Sequence, residues 1–96
     1  MVKKLQDQII YITGASAGIG LATAKCCLEQ GATVVITGRN EDRLKKAEME
    51  LHKTSLNVIA HLLDVSNESD VINSLNNIYK KFGRIDGLVN NAPSIH

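Results

Sequence analysis

Gly14, Gly18 and Gly20 fall in the segment Thr13-Gly14-Ala15-Ser16-Ala17-Gly18-Ile19-Gly20, directly after the apolar run Ile9-Ile10-Tyr11-Ile12. That is where a strand is expected to turn into a helix. A backbone without side chains turns sharply there and lets an anion approach, while the first amides of the helix opening near Gly18 point toward it. The chemistry this spacing serves is the holding of a phosphate, and a dinucleotide's pyrophosphate is the ligand the pattern fits. Glycines also serve tight turns for steric reasons alone, so the reading depends on the elements around the loop.

Those elements alternate. An apolar strand from Gln8 to Thr13 leads through the glycine loop into a helix running to about Gln30, which Gly31 is placed to close. A second strand, Thr33 to Thr37, precedes a helix with Asn40 as its N-cap and with Glu41 and Asp42 at its positive end. Leu44, Ala47 and Leu51 form its apolar stripe, and it ends near Thr54. Asn57 to Leu63 is the third strand, and Asp64 to Asn67 a turn. Val71, Leu75, Ile78 and Phe82 then mark the core side of a third helix that stops at Gly83, and Ile85 to Asn90 is the fourth strand. Strands alternating with amphipathic helices predict an α/β fold built on a parallel sheet. Right-handed crossovers carry strands two and three to one side of strand one, and strand four returns to the other, giving the order 3-2-1-4. Strands one and four then flank the switch point, so Gly14–Gly20 and the segment Asn90-Asn91-Ala92 are expected to converge on one ligand.

Composition narrows the partners. With 96 residues, 44 % apolar and 22 % charged, the chain has the profile of one soluble globular domain over 1–96. Its net charge is +1, and the pairs Lys3-Lys4, Lys45-Lys46 and Lys80-Lys81 are scattered, which argues against nucleic acid or an acidic membrane as partner. No apolar stretch reaches the roughly 20 residues of a membrane span and no signal peptide precedes Ile9, so the expected location is cytoplasmic. Cys26 and Cys27 lack metal or redox spacing and are expected to pack as small apolar residues in the first helix. His52, His61 and His96 share no metal-ligand spacing, and no metal site is expected.

In this order and spacing, Thr13-Gly14-x-x-x-Gly18-x-Gly20, Asp64-Val65 and Asn90-Asn91-Ala92 resemble the short-chain dehydrogenase/reductase family over nearly the whole chain. The resemblance implies a Rossmann-type sheet, incomplete here relative to the full family fold, and a nicotinamide dinucleotide as cofactor. It places the pyrophosphate and adjoining ribose on the backbone around Gly14, Ser16, Gly18, Ile19 and Gly20, with the Ser16 hydroxyl either a further donor or a cap within the loop. It gives the Asp64 carboxylate the adenine amino group and Val65 a backbone contact to the ring; the alternative is that Asp64 only begins a turn. Asn90 would brace the sheet, and the backbone near Ala92 would line the second ribose. Pro93 stands where the family has glycine, and the proline removes an amide donor and fixes φ near about −65°.

The choice between NAD and NADP turns on Thr37-Gly38-Arg39 at the end of the second strand. Family members that prefer NAD usually carry an acidic residue at the position of Gly38, and Arg39 resembles the arginine that NADP-preferring members set against the 2′-phosphate. A guanidinium–phosphate pair is worth roughly 1.5–3 kcal/mol, about tenfold to a hundredfold. NADP is therefore the expected cofactor, with NAD the alternative. Ala17 does not supply the second basic residue that many NADP-preferring relatives have in this loop, and Arg39 is also placed to pair with Glu41 or Asp42.

Carbonyl reduction also needs a proton donor. The family uses a Tyr-x-x-x-Lys pair together with a serine, and neither tyrosine fits: Ala15 lies four positions beyond Tyr11, and Gly83 beyond Tyr79. Both tyrosines are expected to pack in the core, and no catalytic residue is assigned. The sequence therefore predicts the cofactor-binding half of an oxidoreductase. The alternative is a truncated nucleotide-binding or interaction module that pairs with a full-length relative. Bare apolar surface on strand four, at Leu88 and Val89, is expected to promote self-association.

Overall fold

The computed structural model describes residues 3–15 and 18–91. Its elements follow in the order β1 (Ile9–Thr13), α1 (Gly18–Glu29), β2 (Thr33–Gly38), α2 (Glu41–His52), β3 (Val58–Leu62), α3 (Glu68–Phe82) and β4 (Gly87–Asn90). The strands form one parallel sheet in the order β3-β2-β1-β4, as the crossover argument predicts.

Alternation along the strands divides the core in two. Ile10, Ile12, Val34, Ile36 and Val58 face α1 and α2, where they meet Ala24, Leu28, Leu44, Ala47 and Leu51. Ile9, Tyr11 and Val35 face the other way and pack with Ile78 of α3, flanked by Leu75, Phe82, Ile59 and Ile85. Both sides of β1 and β2 are therefore covered, which is why these strands read as unbroken apolar runs.

Local signals set the helix ends. The Asn40 side chain accepts the Arg43 amide and the Asn67 side chain the Asp70 amide, so α2 and α3 are each capped by asparagine. At the end of α1 the Ala32 amide donates to the Cys27 carbonyl and the Gly31 amide to the Leu28 carbonyl, with Gly31 at φ 94°. This pair of bonds satisfies the last carbonyls and turns the chain directly into β2.

Four expectations need correction. β4 is shorter than Ile85–Asn90, because the Asp86 carboxylate turns inward to accept the Ile9 amide at 2.8 Å and is itself held by Arg84. Those two bonds, Arg84 first, keep the Asp86 carboxyl below its usual range. Tyr79 does not pack: it lies beside the α3 stripe and is 60 % exposed. On β4, Leu88 is bare as expected, but Val89 is partly buried against the α1/α2 core, since neighbouring strand residues point to opposite faces. Cys26 is exposed, and only Cys27 packs against the core. Burial, and then Cys26 beside it, raise the Cys27 thiol above its ordinary value.

Among the described residues, the Thr37 hydroxyl is buried in β2 without a hydrogen-bond partner. Leaving such a group dry and unpaired costs about 1–3 kcal/mol, and valine has nearly the same shape. Thr37→Val is therefore expected to raise the urea midpoint by the equivalent of about 1 kcal/mol with the slope unchanged.

Candidate functional site

The register of β1 and β4 creates the site. Thr13 lies opposite Asn90 at the carboxyl ends of the two strands, so the glycine loop and the segment after β4 leave the sheet side by side. Side chains lock this junction. Thr13 Oγ1 donates to Asn90 Oδ1 at 3.0 Å and accepts the Asn91 amide at 3.1 Å, while Asn91 Nδ2 donates to the Gly14 carbonyl at 3.3 Å. Asn90 thereby ties the end of β4 to the end of β1. Asn91, to which the sequence reading assigned no role, fastens the glycine loop; its signal was the polar doublet at a strand end.

Backbone conformation explains the glycines. Gly14 and Gly18 take φ values of 67° and 64°, a region that costs other residues roughly 1–2 kcal/mol. Gly20 answers a different constraint. A Cβ there would sit 2.6 Å from Asn91 Nδ2 and 2.8 Å from the Gly14 carbonyl oxygen, so only glycine lets α1 approach the loop and β4 this closely. A Cβ on Gly18 would meet nothing within 4 Å. Gly18 is exposed and Ile19 is 77 % exposed, so the start of α1 faces open space.

Charge at the helix starts differs too. α2 has Glu41 and Asp42 in its first turn and α3 has Glu68 and Asp70, whereas α1 has no acidic residue there. The positive end of the α1 dipole thus meets no carboxylate from its own first turn, which suits an external anion.

Arg39 is exposed just past β2, and Asp64 lies partly exposed just past β3 with Val65 next to it. Asp64 does start a turn: its Oδ1 accepts both the Ser66 amide at 2.9 Å and the Ser66 hydroxyl at 2.7 Å. These bonds, with a smaller contribution from the Arg39 charge, hold the Asp64 carboxyl below its usual range and keep it ionised. The Leu63 amide donates to the Gly38 carbonyl at 2.9 Å, so Arg39 and Asp64 follow adjacent strand ends, and Glu41 pairs with Lys45. Ser16, Ala17, Ala92 and Pro93 lie outside the described residues, so the contacts expected of Ser16 and Ala92 do too. Among the described residues no cluster of three or more His, Cys, Asp or Glu is placed to hold a metal ion, and no helix is long and apolar enough to cross a membrane.

The fold and sequence are similar to those of known proteins. The short chain dehydrogenase family profile matches residues 8–95, and the chain belongs to that family. An uncharacterized oxidoreductase of Bacillus subtilis is 47 % identical over 91 residues, and one of Staphylococcus saprophyticus 38 % identical over 90. These matches take in 95 % and 93 % of this chain but only 26 % and 38 % of the relatives, so the chain spans roughly a quarter to two fifths of their length. Among solved structures, an NAD+-bound xylitol dehydrogenase superimposes with a TM-score of 0.89 at 34 % identity, over 96 % of this chain and 35 % of that one. L-sorbose reductase from Gluconobacter frateurii, complexed with NADPH and L-sorbose, gives 0.87 at 35 % identity, over 98 % and 36 %.

Two substitutions probe the junction. Gly20→Ala is expected to cost about 1–3 kcal/mol in urea unfolding, because backbone must shift to admit the methyl group. Asn91→Ala is expected to cost about 1 kcal/mol. The Gly20→Ala penalty persists in the Asn91→Ala background, since the Gly14 carbonyl still blocks the methyl group.

Proposed function

We propose that this chain is the cofactor-binding half of an NADP-dependent oxidoreductase that moves hydride between the dinucleotide and a carbonyl or alcohol. The observation that carries the reading is the open, carboxylate-free start of α1, reached through two left-handed glycines and flanked by the segment after β4. A pyrophosphate fits there: the first α1 amides and the Gly14–Gly20 backbone would hold it, with Ser16 as a further donor. Asp64, with one oxygen spent on Ser66, and the Val65 backbone would receive the adenine. The backbone at Asn90 and Ala92 would border the nicotinamide-side ribose. When bound, the nicotinamide supplies or accepts the hydride.

Preference for the 2′-phosphate rests on Arg39. Gly38 beside it brings no carboxylate, and the guanidinium is exposed at the strand end where the adenosine ribose would lie. In this reading the chain's own residues bind and orient the dinucleotide and exclude the wrong one. None of them transfers the substrate proton: the Tyr11 hydroxyl is spent on Ser74, and no lysine stands one turn from either tyrosine. That proton comes from outside residues 1–96, and the protein works in the cytoplasm.

A second reading, an interaction module that pairs with a longer relative, draws on Leu88, which is 61 % exposed on β4. Sedimentation separates the two: a monomer that binds NADPH supports the first, and a stable complex without nucleotide binding supports the second.

Calorimetric titration tests the cofactor choice. NADPH is expected to bind more tightly than NADH, and Arg39→Ala is expected to lower NADPH affinity about tenfold to a hundredfold while leaving NADH unchanged. A Cβ on Gly38 would meet only ordinary contact with Leu44 at 3.5 Å, so Gly38→Asp is tolerated and reverses the preference. Equal binding of both nucleotides by the unaltered chain refutes the NADP assignment.

A further inference from the structure

Beneath α3 the sheet carries a hydrogen-bonded chain that cofactor binding does not use. Tyr11, fully buried in β1, donates its hydroxyl to Ser74 Oγ at 2.7 Å, and Ser74 Oγ lies 2.6 Å from His61 Nδ1. Three residues from β1, α3 and β3 are thereby tied together across the smaller core. Burial raises the Tyr11 phenol above its ordinary value, partly offset by the Ser74 bond, so it stays protonated and remains the donor. The Ser74 proton is then directed to His61, which makes Nδ1 an acceptor and places the ring proton of the neutral form on Nε2. His61 is only half buried. It stands on the edge strand and opens onto a groove of about 360 Å³ that Asp70, Asn73 and Asn77 of α3 also line.

We propose that His61 is a proton-operated latch for α3: uncharged, it accepts from Ser74 and holds the helix on the sheet, and protonated it loosens that attachment. A second ring proton turns Nδ1 into a donor. Tyr11 and His61 then both direct donors at one hydroxyl oxygen, and the Ser74 proton loses its acceptor. The added cation is also poorly hydrated. Of the charged groups on α3, Lys81 repels the cation, and the Asp70 carboxylate lines the same groove. From β1 the ring meets the neutral phenol of Tyr11 through Ser74, and its register partner on β2 is the uncharged Thr37.

Burial first and Lys81 second hold the folded-state imidazole below the ordinary value of 6.5. The unfolded chain therefore takes up the proton first as the solution is acidified. The stability contributed by the latch is full above about 6.5, and is lost as pH falls from there through the folded-state value.

Nitrogen NMR of the imidazole in the 96-residue chain tests this directly, alongside urea unfolding at about pH 7.5 and about pH 5.5. The expected results are a proton on Nε2 in the neutral ring, a titration midpoint below 6.5, and a lower urea midpoint at the acid pH. The folding constant falls by up to about tenfold for each unit of depression. His61→Asn keeps an acceptor for Ser74 without a titrating group, and its unfolding is expected to lose most of the difference between the two pH values. A neutral ring protonated on Nδ1, a midpoint at or above 6.5, or equal unfolding of the unaltered chain at both pH values overturns the proposal, as does absence of a cooperative transition. If His61→Asn fails to fold, the titration of the unaltered chain decides alone.

Discussion

The parallel pairing of β1 with β4 is the constraint on which the rest depends. Thr13 and Asn90 are 77 positions apart in sequence, and the Thr13 hydroxyl joins their strand ends by donating to the Asn90 side chain and accepting the Asn91 amide. Gly14 opens the loop between β1 and α1 without a side chain, and Ala15 behind it is buried in the α1/α2 core. The loop borrows its shape from the neighbouring strand, through Asn91 on the Gly14 carbonyl and through the lack of a Cβ at Gly20. The start of α1 is held against the β1–β4 junction by that bracing, with Gly18 and Ile19 left exposed.

Electrostatics reinforces the geometry. Two of the three helices neutralise their positive ends with their own carboxylates, while the one that starts at the strand junction does not. A folded chain tolerates this because that end is exposed, and water can solvate its free amides. Just past β3, the Ser66 bonds, with a smaller contribution from the Arg39 charge, hold the Asp64 carboxyl below its usual range.

The sheet order was legible from the alternation of strands and helices with right-handed crossovers, and the helix caps and apolar stripes from local patterns that tertiary packing did not override. Asn40, Gly31 and the Leu44-Ala47-Leu51 stripe act within a few residues of themselves. What escaped depends on distant partners. Ser74 sits within the α3 stripe as a polar residue and is buried there only because Tyr11 and His61, from two different strands, supply its bonds. Asp86 ends β4 early because its partner is the amide of Ile9, and Asn91 gains its role from a carbonyl in another loop. Tyr79 shows the converse: an aromatic side chain next to the stripe is exposed because no second element covers that flank among the described residues.

The two cores are unequal. Among the described residues, twelve buried hydrophobic residues lie in the α1/α2 core but four on the α3 side, one of them Ile78 of α3 itself. A domain built this way need not open as one unit, because local opening follows the weaker set of buried contacts. Amide exchange should therefore be graded by layer, with α3 exchanging through partial openings while β1, β2 and the helices behind them exchange only when the whole chain unfolds.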